Sequence, residues 1–255
     1  MNNFLRLKLR EGRQKSNFLV FGILGFLVTI IVSFMTFSTN QNFDISSDYA
    51  QYGFQWKVLS TLAAIGTVSL CAPSVKNHKA GYFSNLLSLH GLKKKDQYLG
   101  LSLANILTSF QMAGVLILAL ALSLFIKKPQ TSLINFILAI GVYLLAVGSV
   151  AIFTTILSFF ISPLALNLLG VLLVFLGALQ GVLNIVLGNL GGIFPNTLRT
   201  LLKALPPIST FGTLARDLFF GEFSSWNLLF SSVFYIWTLV GILGLIIYGV
   251  TKNED

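Results

Sequence analysis

The chain has 255 residues, of which 55% are hydrophobic and 10% are charged, and its formal net charge is +9. Soluble domains carry about 25% charged residues, so this composition excludes an ordinary water-soluble protein and predicts one that crosses a membrane several times. The single cysteine, Cys71, excludes an internal disulfide framework and argues against a cysteine-based metal site. Because basic residues flank the apolar runs, their excess indicates topology and contact with anionic lipid rather than nucleic acid.

The first 17 residues are basic and are predicted to be cytoplasmic or to lie in the membrane interface. Apolar residues alternate with basic ones in this segment, so the pattern alone does not distinguish a helix from an extended segment. A simple topology signal is the alternative interpretation. The apolar run that follows is too long for the core of a signal peptide, so we expect it to remain as the first span.

Six apolar runs are close to the roughly 20 residues that a helix needs to cross the hydrocarbon. They predict an all-α polytopic membrane protein with one membrane domain over residues 1–255 and no second domain. Trp56 and Lys57 lead the second span and are expected at a membrane interface. The predicted spans cover residues 18–37, 58–75, 98–126, 133–160, 164–187 and 226–250.

An even number of spans places both termini on the same side of the membrane, and the basic residues then decide which side. Of the 17 lysines and arginines, eleven fall on the side of the termini and six on the opposite side. The positive-inside rule therefore predicts a multi-pass protein of the cell (plasma or inner) membrane with both termini in the cytoplasm.

The stretch GYFSNLLSLHGLKKKD, residues 81–96, lies between the second and third spans and is too polar to cross a bilayer. Helical spacing places Phe83, Leu86, Leu87 and His90 on one face, and Gly91 offers a helix stop. A cluster of three lysines, beginning at Lys93, follows. A short helix with one apolar face either rests on lipid or docks into a groove on a partner protein.

This stretch resembles a motif of the permeases of type 2 ATP-binding-cassette (ABC) exporters. In that family a Gly-Thr-Leu sequence, a Leu-Leu pair, a proline turn and a basic residue lie between the second and third spans. Here Gly81 begins the match, Leu86 and Leu87 stand at the Leu-Leu pair, His90 stands at the turn and Lys93 at the basic position. The family's proline is absent, and so are the acidic residues that precede its glycine. The layout of six spans is similar over nearly the whole chain.

The resemblance implies a permease subunit that exports a hydrophobic or amphipathic cargo such as a peptide, toxin, antibiotic or drug. It implies that Gly81, Phe83, Leu86, Leu87 and the turn at His90 and Lys93 form a coupling helix bound by a separate ATPase subunit. ATP and Mg²⁺ would bind to that partner, because this chain has no phosphate-binding loop of its own and is not expected to be an enzyme. A second permease copy or a related permease would complete the transporter.

Two other classes of protein stay open at this point. One is a membrane scaffold or immunity protein that does not transport, and the other is an ion-coupled carrier. Carriers usually bury ionisable groups within their spans, and the predicted spans contain essentially no carboxylates. Two histidines twelve residues apart, with no carboxylate pattern around them, do not predict a metal site.

The segment before the sixth span, residues 189–224, predicts two short amphipathic helices. Pro206 and Pro207 would end the first helix, Thr210 would cap the second, and Gly221 would stop it. The resemblance implies that these helices are re-entrant and gate the extracellular end of the pathway, with contributions from Arg199, Lys203, Pro206 and Pro207. Helices that rest on the outer membrane surface are the alternative. Arg216 and Asp217 are adjacent, so they are not expected to face each other across a helix, and they are given no joint role.

The fifth span carries small residues at the spacing that lets membrane helices pack closely. Gly177 and Gly181 are four residues apart, and Asn184 follows on the same side. These three residues predict a surface that faces a second permease subunit. Packing within one subunit is an equally good interpretation.

Overall fold

The computed structural model describes residues 2–34, 47–80, 82–127, 131–190, 192–222 and 225–252. In these ranges the chain is helical apart from short turns and forms no strand, which confirms the all-α prediction. The helices are α1 (Asn2–Gln14), α2 (Ser16–Phe34), α3 (Ser47–Cys71), α4 (Ser74–Ala80), α5 (Tyr82–Leu89), α6 (Lys94–Lys127), α7 (Leu133–Ser158), α8 (Pro163–Asn189), α9 (Ile193–Leu202), α10 (Ile208–Phe220) and α11 (Trp226–Lys252).

Within the described ranges, six helical segments are long and apolar enough to cross a membrane, as predicted. They are α2, α3 continued by α4, α6, α7, α8 and α11. The second span departs most from its predicted bounds, because its helix begins at Ser47 rather than near Val58. The predicted end of the first span at Phe37 lies outside the described residues. The orientation of the spans stays a prediction.

Local sequence explains where several helices begin and end. The side-chain oxygen of Ser132 accepts the backbone N–H of Asn135 and caps α7. Pro163 occupies the first turn of α8, where its missing N–H costs nothing. Gly221 ends α10 with a φ of +75°, a left-handed conformation that favours glycine. The predicted stop at Gly221 is therefore confirmed.

An aromatic cluster joins α10 to α3 and α7 at one end of the bundle. Phe219 of α10 is fully buried, and its ring centroid lies 5.2 Å from that of Tyr52 and 6.1 Å from that of Trp56. Trp56 is predicted to lie at a membrane interface, and its depth in the membrane stays a prediction; the structure shows that the protein itself covers the side chain. Because α10 covers the start of α3, Trp56 is fully buried, and its ring also faces Tyr143 of α7 at 6.2 Å.

The opposite end of the bundle is closed by α1, which packs against α6. Phe4 is buried, with its ring 5.8 Å from that of His78 on α4. The side chain of Phe4 also fits against Gly100 of α6, where an added Cβ would lie 2.8 Å from the ring. The alternating N-terminal segment is thus a helix, and tertiary contact with α4 and α6 decides between its two interpretations.

The spans differ in how much of their surface is covered by the rest of the chain. Most of α3 is buried, whereas α2, α8 and α11 are largely exposed. Large apolar side chains such as Ile23, Leu168 and Phe234 stand on these exposed faces. Apolar surface of this extent fits the hydrocarbon of a bilayer or the face of another membrane subunit.

We predict that Phe219→Ala strongly destabilises the protein. Loss of a fully buried phenyl ring leaves a cavity between α3, α7 and α10 and should cost about 3–5 kcal/mol. Thermal unfolding in mild detergent measures the loss as a lower Tm. Phe234→Ala on α11 is the matched control, because Phe234 is 74% exposed. Equal Tm values for the two variants would contradict a packed α10.

Candidate functional site

The candidate site is the short helix α5 with the segments that flank it, between the second and third spans. The helix runs from Tyr82 to Leu89, which confirms a short helix in this stretch. Gly91 has a φ of +82°. The N–H of Leu92 donates to the carbonyl of Leu87 at 3.0 Å, so the last turn closes in the manner of a glycine C-cap. The predicted stop at Gly91 is therefore confirmed.

Gln97, on the first turn of α6, holds α5 in place. Its side chain is fully buried, and its Oε1 accepts hydrogen bonds from the Ser84 hydroxyl at 3.0 Å and from His78 Nε2 at 3.0 Å. Its Nε2 lies 3.1 Å from the Ser88 hydroxyl and 3.0 Å from the Leu92 carbonyl. One amide therefore links α4, α5, the following turn and α6. We call these hydrogen bonds the Gln97 clamp.

Sequence analysis missed the Gln97 clamp. The clamp explains why the side of α5 with Ser84 and Ser88 is polar. Nothing in a single glutamine next to three lysines indicates burial. The available signal was the pair of serines four residues apart, which share one helix face and require a polar partner if that face is covered.

The side of α5 away from the clamp is apolar and exposed. Tyr82, Leu86 and Leu89 follow one another at helical spacing and are 92%, 49% and 86% exposed. We call these three side chains the α5 stripe. The apolar face predicted from helical spacing, with Phe83, Leu86, Leu87 and His90, is centred one step around the helix from the α5 stripe, because spacing alone does not reveal that Ser84 is buried against Gln97.

The predicted coupling residues are distributed around α5 and its C-terminal turn. Leu86 and His90 are exposed, Leu87 is half-buried and Lys93 is exposed. The His90 ring nitrogen Nδ1 lies 2.8 Å from the Leu86 carbonyl, so the histidine helps to close the helix end. Gly81 and the side chain of Phe83 lie outside the described residues.

The segment before the last span forms the two predicted short helices, α9 and α10. Thr210 does not cap the second one, because α10 already begins at Ile208, with Pro207 preceding it at a φ of −80° and a ψ of 62°. Arg199 and Lys203 are exposed, whereas Pro206 is buried.

Side chains from two spans hold the turn between α9 and α10. Gln180 of α8 donates from Nε2 to the carbonyl of Leu202 at 2.9 Å, and the Tyr235 hydroxyl of α11 donates to the carbonyl of Ala204 at 2.9 Å. Carbonyls at the C-terminal end of a helix lack hydrogen-bond partners within that helix. The two side chains donate hydrogen bonds to such carbonyls here. The turn that carries the predicted gate prolines is therefore bonded to the spans.

Arg216 and Asp217, which were given no joint role from the sequence, form an ion pair. The distance from Arg216 Nη2 to Asp217 Oδ1 is 2.6 Å, and Nε also donates to Oδ1 at 2.9 Å. The arginine side chain lies against Gly53 of α3, where an added Cβ would come within 2.8 Å of its Cδ. A long guanidinium side chain can fold back on its helix, which spacing rules for short pairs do not consider.

The three residues predicted to face another subunit lie in different surroundings. Gly177 is buried, and a Cβ at this position would lie 2.7 Å from the carbonyl oxygen of Pro206. Gly181 is exposed and Asn184 is partly exposed. Gly177 is thus used within the chain, to let α8 approach the turn after α9, and a contact with a second subunit would involve the outer side of α8 near Gly181.

No protein-family model matches the chain, and no curated protein has a similar sequence. Across the described residues, no group of three or more histidine, cysteine, aspartate or glutamate side chains is arranged to hold a metal ion.

We predict that Gln97→Leu releases α5 while leaving the spans folded. The variant removes the acceptor for Ser84 and His78 and the donor to Leu92, so the amides of residues 82–92 should exchange hydrogen at least about tenfold faster, as loss of even one or two hydrogen bonds implies. Hydrogen exchange followed by mass spectrometry measures this. Gln111→Leu, on an exposed site of the same helix, is the control. Unchanged exchange in the 82–92 peptide would show that the clamp does not hold the helix.

We predict that Gly177→Ala destabilises the protein and Gly181→Ala does not. The methyl group at residue 177 meets a backbone oxygen, which cannot move aside cheaply, and such overpacking costs about 1–3 kcal/mol. At residue 181 the nearest atom is Ser209 Oγ, at an ordinary contact distance of 3.8 Å. The Tm of each variant in detergent gives the comparison. A larger loss at Gly181 would instead indicate an intersubunit contact there.

Proposed function

We propose that this chain is the permease subunit of an ABC exporter, moving a hydrophobic or amphipathic cargo out of the cell with energy from a separate ATPase subunit. The observation that carries the proposal is the construction of α5. Its polar side is bonded to α4 and α6 through Gln97, and its apolar stripe of Tyr82, Leu86 and Leu89 is exposed. A helix held this firmly, with an uncovered apolar face, suits a groove on a partner protein.

The Gln97 clamp also supplies a route for force. A pull on α5 passes through Ser84 to Gln97, which belongs to the third span, and through His78 to α4, which continues the second span. Closure of the ATPases on ATP and Mg²⁺ would therefore move two spans together. A helix that only rests on lipid needs no connection of this kind.

The outer end of the pathway would be closed by α10. This helix is wedged between α3, α7 and α8, with Phe211, Leu214 and Phe219 fully buried. Polar atoms of Trp56 and Tyr143 next to it are buried without a hydrogen-bond partner among the described residues. Such groups are costly while they stay unpaired, and displacement of α10 would expose them to water. The re-entrant gate formed by α9, α10, Arg199, Lys203, Pro206 and Pro207 belongs to this proposal.

Two alternatives predict different behaviour. An ion-coupled carrier needs titratable groups inside its spans, and the sequence places no aspartate or glutamate in the interior of any span. A non-transporting scaffold or immunity protein would bind its target without an ATPase. The exposed outer faces of α8 and α11 offer room for a second permease copy or a related permease.

The proposal predicts that the protein purifies with an ATPase bound through the α5 stripe. After purification from the native host in mild detergent, mass spectrometry should find a subunit with a phosphate-binding loop in comparable amount. Leu86→Asp combined with Leu89→Asp should reduce that subunit at least about tenfold, because charges are placed in a desolvated groove. Leu87 is left unchanged because it is half-buried.

Asn85→Asp is the control, since it adds a negative charge at an exposed site on the same helix but outside the α5 stripe. It should retain the ATPase, and all variants should insert into the membrane in normal amounts. Retention of the ATPase by the double variant would reject the α5 stripe as its binding surface. A wild-type protein that purifies without any ATPase would favour the scaffold or carrier alternatives.

A further inference from the structure

A polar cavity of about 230 Å³ lies between α1, the junction of α3 and α4, and α6. Its volume is several times the ~30 Å³ that one water molecule occupies in the liquid, so it has room for a phosphate group. The side chains used in the argument below are Lys8, Glu11, Lys15, Ser74, His78 and Thr108. The cavity is separate from the α5 stripe, although His78 also takes part in the Gln97 clamp.

The two lysines that face the cavity differ in their hydrogen-bond partners. Lys8 Nζ pairs with Glu11 Oε2 at 2.8 Å. Lys15 Nζ donates to the backbone carbonyl of Leu70 at 3.2 Å, and the described part of the chain places no carboxylate within ion-pair distance of it. Lys15 is partly buried, and this burial lowers the pKa of its amine. A cation in such surroundings is costly unless an anion compensates it.

We propose that this cavity binds the phosphate group of an anionic phospholipid headgroup, with Lys15 as the principal cation. One positive charge remains after Lys8 and Glu11 are paired, and Thr108 adds a buried hydroxyl on the α6 wall. Charge-assisted hydrogen bonds from an ammonium to phosphate oxygens are the strong kind. His78 and Ser74 add polar groups to a wall that also includes Leu70 and Leu101.

The surroundings favour a lipid over free phosphate. The basic helix α1 forms one wall, and a basic segment beside a span attracts anionic headgroups. The first membrane-spanning helix begins directly after Lys15, and its exposed apolar side chains start at Leu19 and Val20. Acyl chains attached to a phosphate at Lys15 would therefore find apolar surface within one turn. This inference does not depend on the ATPase proposal.

A bound phosphate would join α1 to the spans. It would contact Lys15 after α1 and Thr108 on α6. This contact would add to the close packing of α1 on α6 at Phe4 and at Gly12, where an added Cβ would lie 2.7 Å from Thr108 Oγ1. Binding of the lipid to the folded state alone should therefore raise the Tm.

Isothermal titration calorimetry of the purified full-length protein in neutral detergent tests the proposal, with dioctanoyl phosphatidylglycerol as the probe. We expect saturable binding and a higher Tm. Lys15→Gln should weaken binding at least about tenfold, as removal of one charge-assisted hydrogen bond predicts. Lys15→Arg, which keeps the charge, should retain most of the affinity. Thr108→Val should weaken binding by a smaller factor and serves if Lys15→Gln fails to fold.

Arg13→Gln is the matched control, because Arg13 is an exposed cation on α1 outside the cavity. It should bind the probe as tightly as the wild type does. If Arg13→Gln and Lys15→Gln weakened binding equally, the affinity would come from general surface charge and the proposal of a specific site would be wrong. Dioctanoylglycerol, which lacks phosphate, should not bind. Inorganic phosphate should not displace the lipid at the same concentration. Displacement by inorganic phosphate, equal binding of dioctanoylglycerol, or no binding of phosphatidylglycerol would each overturn the proposal.

Discussion

A bilayer offers no water to backbone N–H and C=O groups, and this constraint governs the whole architecture. Six apolar helices satisfy it within their own length, and hydroxyls inside them also bond locally, as when Thr29 donates to the carbonyl of Gly25 at 2.7 Å. The constraint is hardest to meet where a helix ends, because the last carbonyls of a helix have no hydrogen-bond partner within it. At each helix break that carries the proposed function, a side chain from another part of the chain donates a hydrogen bond to a backbone carbonyl.

The short helix α5 and the segment of α9 and α10, which carry the proposed function at opposite ends of the bundle, are held in the same way. The side-chain amide of Gln97 donates a hydrogen bond to the Leu92 carbonyl after α5, and that of Gln180 donates one to the Leu202 carbonyl at the end of α9. At the end of α10, Thr131 Oγ1 also donates to the carbonyl of Phe219 at 2.6 Å. Short helices at both ends are thereby joined to particular spans rather than left on the surface. A displacement of the short helices at either end would therefore be transmitted to those spans. Coupling between an ATPase and a gate would require such transmission.

Much of the fold was predictable because it depends on local properties. The number of spans follows from apolar length, and the ends of α5 and α10 follow from glycines at Gly91 and Gly221, where a left-handed φ is needed. Side-chain partners were less predictable. The burial of Trp56 under α10 and the ion pair between Arg216 and Asp217 were not predicted. Trp56 is buried because α10 packs on the start of α3, a contact between residues distant in the sequence.

By itself the sequence determined that this is an all-helical membrane protein with a short amphipathic helix after its second span. Apolar length, helical periodicity and glycine stops are properties of consecutive residues, so no tertiary knowledge was needed. Only the tertiary structure decided which side of α5 is free, that Gly177 packs against the turn at Pro206, and that Lys15 faces a polar cavity. These facts depend on helices brought together from distant parts of the chain, where burial and partner choice are set by packing rather than by neighbours in sequence.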